Sequence, residues 1–158
     1  EKRGVEYPTQ SDVVKQKVRD TMMSRYGTNH VKRNFNYLTE YFDSSWELAF
    51  YVYHIENGIN IIREPTIFEY VVNDTVHTYC PDFEINGQLY EIKGDQFWNE
   101  DGTMCNPYDH SLDSIAEAKH QCGIKNNVIF LGRVEIQKYI DYMTLKYGKN
   151  WKELFIVS

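Results

Sequence analysis

Residues 44–56, SSWELAFYVYHIE, are apolar at nearly every position and predict a strongly apolar helix. Shorter apolar runs follow. INII (59–62) and TIFEYVV (66–72) predict strands, and Asn73-Asp74 a turn. Residues 76–85 and 88–93 predict two further strands around Asn86-Gly87, the strongest short-range hairpin signal because a two-residue turn needs positive φ at both positions. The polar stretch 94–110 predicts a long loop. A helix over 111–122, a buried strand over 127–131 (NVIFL) and a helix over 133–147 complete the pattern. Upstream, residues 11–25 predict a helix capped by Ser11 or Asp12 and stopped by Gly27. Val14, Val18, Met22 and Arg25 share one side of it, too little apolar surface for more than light packing or contact with a partner. Helix, antiparallel strands, helix, strand, helix is the order of an α/β (α+β) domain, a central mixed sheet with helices on both sides.

Composition narrows the class. A chain of 158 residues suits one domain with a real core and a small appendage, and 42% apolar residues excludes a disordered chain. No apolar run approaches the roughly 20 residues of a membrane span, so no membrane partner is expected. The N-terminus lacks a signal-peptide pattern. It starts at Glu1 without methionine, so a fragment or processed chain is expected. Cys80, Cys105 and Cys122 are odd in number and far apart, with no zinc spacing, which fits a reducing cytoplasm.

Net charge is −6, which argues against a generic nucleic-acid binder. The distribution is uneven: residues 1–34 hold eight basic and four acidic side chains, the remainder nine basic and nineteen acidic. A basic arm carrying Lys15, Lys17, Arg19, Arg25, Lys32 and Arg33 beside an acidic body fits a DNA contact next to a metal site. A solvated charged helix accounts for the same charges.

The hairpin concentrates the chemistry. Counting outward from Asn86-Gly87, Ile85 faces Gln88, Phe83 faces Tyr90 and Asp82 faces Glu91. Opposed carboxylates about 5 Å apart repel by about 3 kcal/mol at an effective dielectric near 20. A proton, a lysine or a divalent cation would offset that. Period two puts Glu91 and Lys93 on one face, so Asp82, Glu91 and Lys93 are expected together. Hard carboxylate oxygens suit Mg²⁺ or Mn²⁺, and the lysine can orient or deprotonate a water or neutralise a phosphate. An exposed hairpin with a simple salt bridge is the alternative, weakened by the apolar flanks Phe83, Ile85, Leu89 and Ile92. Glu47 either joins this group or closes a capping box with Ser44. His54, His77, His110 and His120 show no ligand spacing. Phe97, Trp98 and Tyr108 either stack on bases or anchor their loop.

Pro81-Asp82 followed by Glu91-Ile92-Lys93 resembles the PD-(D/E)xK nuclease motif, and Glu47 in Ser-Ser-Trp-Glu-Leu matches that superfamily's upstream acid. The resemblance spans roughly residues 40–131. Tyr79-Cys80-Pro81-Asp82-Phe83, Glu91-Ile92-Lys93-Gly94 and Asn106-Pro107-Tyr108 are similar to nuclease domains of bacteriophage genomes. Lys2-Arg3-Gly4-Val5 and Arg25-Tyr26-Gly27 resemble the short basic repeats that accompany phage homing endonucleases. The resemblance implies a restriction-endonuclease-like three-layer core over 37–158, an arm over 1–36, and further DNA-binding segments in a longer chain. It also implies Mg²⁺ (or Mn²⁺) held by Asp82, Glu91, the Ile92 carbonyl and Glu47, with Lys93 serving the attacking water. The expected activity is a double-stranded DNA endonuclease of homing type in a host cytoplasm, as a monomer or a homodimer. A nicking or mismatch-repair nuclease, or a non-catalytic DNA-binding module, is the alternative. Asp95 and Lys119 could line such a site, though their spacing does not require it.

Overall fold

A computed structural model describes residues 34–157. The expected helix over 11–25, the Lys2-Arg3-Gly4-Val5 and Arg25-Tyr26-Gly27 stretches and the six basic arm residues lie outside that range.

The order is β1 (Phe35–Tyr37), β2 (Glu40–Phe42), α1 (Ser45–Glu56), β3 (Ile61–Arg63), β4 (Phe68–Val72), β5 (Thr75–Tyr79), β6 (Phe83–Ile85), β7 (Gln88–Ile92), α2 (Asp113–Lys125), β8 (Ile129–Leu131), α3 (Arg133–Tyr147) and α4 (Trp151–Leu154). The central sheet runs β3-β6-β7-β8. Its first three strands are antiparallel, and β8 joins β7 in parallel, so the sheet is mixed. The β6–β7 register is the expected one, Ile85 opposite Gln88 and Phe83 opposite Tyr90. Asn86 (φ 50°) and Gly87 (φ 82°) supply the left-handed conformations that this turn demands.

Period two splits the sheet into two faces. Ile61, Phe83, Ile92 and Leu131 pack with Leu48, Phe50 and Val52 of α1 and with Ile136, Tyr139 and Met143 of α3. Rings dominate this layer: Phe50 lies 5.2 Å from Phe83, 5.8 Å from Tyr90 and 4.9 Å from Tyr139. On the other face, Leu89 and Phe130 join Cys122 of α2, Val128, and Phe68, Tyr70 and Tyr79 of the β4–β5 hairpin. The domain is therefore a three-layer α/β structure with helices packed against a central mixed sheet. No helix among the described residues is long and apolar enough to cross a membrane.

One expected element is corrected. Residues 76–85 do not form a single strand. β5 pairs only with β4, and the chain breaks at Cys80-Pro81-Asp82 before β6 enters the central sheet. Pro81 is fully buried and has no amide to give a ladder, so the break falls where a continuous strand would lose a bond.

Candidate metal centre beside the hairpin

The break sets the position of Asp82. The β6–β7 ladder stops at Phe83–Tyr90, so Asp82 is not a strand partner of Glu91 as the residue count implied. Its Oδ2 instead accepts from the Ile92 amide at 2.8 Å, and its carbonyl accepts from the Glu64 amide at 3.0 Å. The carboxylate takes over the hydrogen bond that the interrupted ladder leaves open, while the main chain stays tied to the end of β3.

Glu91 lies on the α2 face of β7 and is only 2% exposed. Three donors close around it. Lys93 Nζ stands 3.1 Å and Lys119 Nζ 3.5 Å from Oε1, and the Tyr79 hydroxyl donates to Oε2 at 3.2 Å. Lys119 comes from α2 and also sits 4.9 Å over the Tyr79 ring. Lys93 sits 4.9 Å over the Phe97 ring.

At the start of α1, Ser44 caps the helix through its own hydroxyl, which accepts from the Trp46 amide at 3.2 Å. No capping-box bond from Glu47 back to Ser44 forms, and the charges that act on Glu47 include Asp43, Glu91, Lys93 and Arg63. Burial, then the charges of Asp43 and Glu91, push the Glu47 carboxyl up to about 7. Burial, then Glu91 and Glu47, holds Asp82 well above the usual carboxylate range, against the opposing effects of the Ile92 amide and Lys93. Burial alone would lower Lys93; Glu91, Asp82 and Glu47 outweigh it and raise its affinity for the proton. Burial first, and neighbouring carboxylates second, make both carboxyls, Glu47 and Asp82, harder to ionise.

A divalent cation would relieve that crowding, and the donors are the hard oxygens that Mg²⁺ and Mn²⁺ take. The chemistry of the donor set fits. The spacing is not a finished shell: among the described residues no group of three His, Cys, Asp or Glu side chains is placed to hold a metal ion.

The sequence offered Lys119 only as a residue that could line the site, and Tyr79 only as part of a motif, with no contact to Glu91 expected for either. Both reach Glu91 from elements far away in the chain. The signal for Tyr79 was its place three residues before Asp82, at the end of a strand on the charged face. Asp95 turns elsewhere, its Oδ2 accepting from Arg133 Nε at 2.7 Å in the open. The loop after β7 is ordered by two short 3-10 turns and a Trp98–Met104 bridge. Trp98 packs edge-on against His120 (4.9 Å) and Phe130 (5.9 Å), so it anchors the loop. Tyr108 stays 81% exposed. His54 is buried with Nδ1 2.6 Å from the Phe50 carbonyl, and His120 and His110 pair with Glu117 and Asp113.

A cavity of about 260 Å³ opens beside the cluster, lined by Lys93, Lys119, Phe97, Tyr70, Leu112 and Ile115 among others. A larger one of about 640 Å³, between α1, α3 and the β6–β7 turn, contains none of the candidate residues. The smaller cavity is the one bordered by charged candidate residues, Lys93 and Lys119. No protein-family model, curated protein or solved structure matches the chain.

Proposed function

We propose that this chain is a metal-dependent DNA endonuclease of the PD-(D/E)xK type on a restriction-endonuclease-like core, a phage homing-type catalytic domain. One observation supports it most: Asp82 and Glu47, both made reluctant to ionise, share a charged cluster with the Glu91–Lys93 pair at the end of the hairpin. Mg²⁺ or Mn²⁺ held by Asp82, Glu91, Glu47 and the Ile92 carbonyl would supply a Lewis acid and an activated water, which phosphodiester hydrolysis needs. Asp82 is fixed by the Ile92 amide. Lys93 keeps its proton and orients a water or neutralises charge on the phosphate. The arm residues Lys15, Lys17, Arg19, Arg25, Lys32 and Arg33 contact phosphates, so deleting residues 1–34 weakens DNA binding and flattens its salt dependence; equal affinity at all salt concentrations would reject that role.

The test is cleavage of supercoiled plasmid by the chain and its Asp82→Asn variant, with Mg²⁺, Mn²⁺ or EDTA. Metal-dependent cutting that the variant loses supports the reading, and linear against nicked product separates double-strand cleavage from nicking. Equal cutting by both proteins sinks the mechanism. A non-catalytic DNA-binding module is the second reading, favoured by the closure of both Glu91 oxygens by Tyr79, Lys93 and Lys119. Calorimetry showing neither Mg²⁺ nor Mn²⁺ binding would select it.

A further inference from the structure

His54, in the last turn of α1, is only 6% exposed and has no part in the proposed nuclease chemistry. Its Nδ1 stands 2.6 Å from the Phe50 carbonyl. A carbonyl can only accept, so Nδ1 carries the proton of the neutral ring and Nε2 carries a lone pair. Burial holds the imidazole below its usual value, with Lys138 adding to that effect and the Phe50 bond opposing it, so the ring is neutral near pH 7. The Phe50 carbonyl is the hydrogen-bond partner of this ring among the described residues, which leaves Nε2 unpaired. The lone pair is not sealed in, because the one fully enclosed side-chain nitrogen or oxygen without a partner among those residues is Arg63 Nε. His54 lines the cavity of about 640 Å³, and Nε2 opens into it. A mostly buried acceptor left unpaired is uncommon and costly, and a donor placed in the cavity relieves it.

The walls indicate what kind of molecule brings that donor. The rings of Phe50 and Tyr139, centred 4.4 and 5.4 Å from the His54 ring, line the cavity together with Tyr90, and Ile85 and Leu131 add aliphatic surface. An apolar and aromatic lining with few polar groups, in a volume of about 300–1,000 Å³, is the usual make-up of a small-molecule site. Lys138 and Glu135 of α3 also border the space, one charge of each sign, so together they select no net charge in the occupant. Glu135 is tied besides to the Gly132 amide at 2.9 Å.

We propose that this cavity binds a small, uncharged, planar heteroaromatic molecule whose ring N–H donates to His54 Nε2. Phe50, Tyr90 and Tyr139 hold the ring by edge and face contacts. The site lies on the α1–α3 face of the sheet, opposite Glu91, and uses none of Glu47, Asp82, Glu91 or Lys93. It therefore stands apart from the nuclease reading.

Indole is the probe and 1-methylindole its control, since the methyl group replaces the only donor. Both are titrated into the full chain by calorimetry. The parent binds indole about tenfold more tightly than 1-methylindole, the effect of one buried hydrogen bond. Nuclear magnetic resonance of the nitrogen-labelled parent shows the His54 Nε2 signal moving as indole binds, while Nδ1 stays in place. His54→Phe keeps an aromatic ring and removes the acceptor; once circular dichroism shows it folded, it binds the two probes equally. Equal affinity of the parent for both probes, or binding of neither, overturns the proposal. A folded His54→Phe that still prefers indole overturns it too. Where that variant does not fold, the parent decides: indole binding that leaves the Nε2 signal unmoved places the ligand elsewhere and overturns the site.

Discussion

The two ends of α1 carry buried or half-buried glutamates with opposite electrostatics. Glu47 lies in the first turn, where the helix dipole favours a negative charge; Glu56 lies in the last turn, where it does not. The dipole is worth about 0.3–1 kcal/mol and predicts an easily ionised Glu47 and a reluctant Glu56. The reverse is found. Glu56 accepts from the hydroxyls of Tyr37 (3.2 Å), Tyr142 (2.7 Å) and Tyr147, and from Lys146 Nζ (2.7 Å). Burial works against its ionisation, but the bonds from Lys146, Tyr147 and Tyr142 win and lower its carboxyl. Glu47 meets Asp43 and Glu91 in a dry place and is raised to about 7. A carboxylate surrounded by donors staples β1, α1 and α3 together; one crowded by other carboxylates is harder to ionise.

The largest effect expected from breaking this contrast is at Asp82. Asp82→Asn keeps an oxygen for the Ile92 amide and removes a charge that its neighbours resist. On the nuclease reading proposed above, cleavage falls by on the order of 10³-fold, while the melting temperature stays the same or rises. A variant that melts lower than the parent in EDTA would show that the Asp82 charge is not under strain.

Glu56→Gln gives the opposite result. Three hydroxyls and an ammonium lose their anionic acceptor, and stability falls by about 2–3 kcal/mol in urea unfolding. Plasmid cleavage well below the melting point is unchanged. Loss of cleavage with stability intact would erase the division between the two ends of α1.

The pH dependence sharpens the comparison further. The folded-state value for Glu47 is raised, so its stabilising protonated form is fully present below the ordinary 4.5 and is lost as pH rises through about 7. Stability in EDTA therefore declines by on the order of 1 kcal/mol across that window. Glu47→Gln flattens the decline, and saturating Mg²⁺ does the same for the parent. Glu56 has the other sign: its contribution is present above the ordinary carboxylate value and is lost as pH falls through its lowered one. Thermal melts from pH 2 to pH 8 read both limbs. A parent more stable at pH 7 than at pH 5, with Glu47→Gln unchanged in slope, would refute the assignment to Glu47. The smallest effect is Tyr147→Phe, about 1 kcal/mol, since Tyr37, Tyr142 and Lys146 still serve Glu56.

Much of this architecture was legible in the chain. The Asn86-Gly87 turn set the β6–β7 register, since only that turn geometry fits two residues at positive φ. The apolar run at 44–56 and its Ser44 cap placed α1, and Gly148 (φ 93°) closes α3 at the end of the expected 133–147 helix. Period two brought Glu91 and Lys93 to one face, and they form an ion pair. These are rules of near neighbours, in which a turn type, a cap or a period fixes a relation within a few residues.

Tertiary structure alone decided the rest. An extended run looks the same whether it serves one sheet or two, so the break at Cys80-Pro81-Asp82 needed the β4–β5 hairpin to pull β5 off the central sheet. The break moved Asp82 from a strand pair to a bond with the Ile92 amide. Lys119 reaches Glu91 because α2 lies across the same face, and Tyr142, Lys146 and Tyr147 reach Glu56 from the far end of the domain. Whether a carboxyl holds or sheds its proton is set by which distant groups the fold delivers to it, and no local pattern records that delivery.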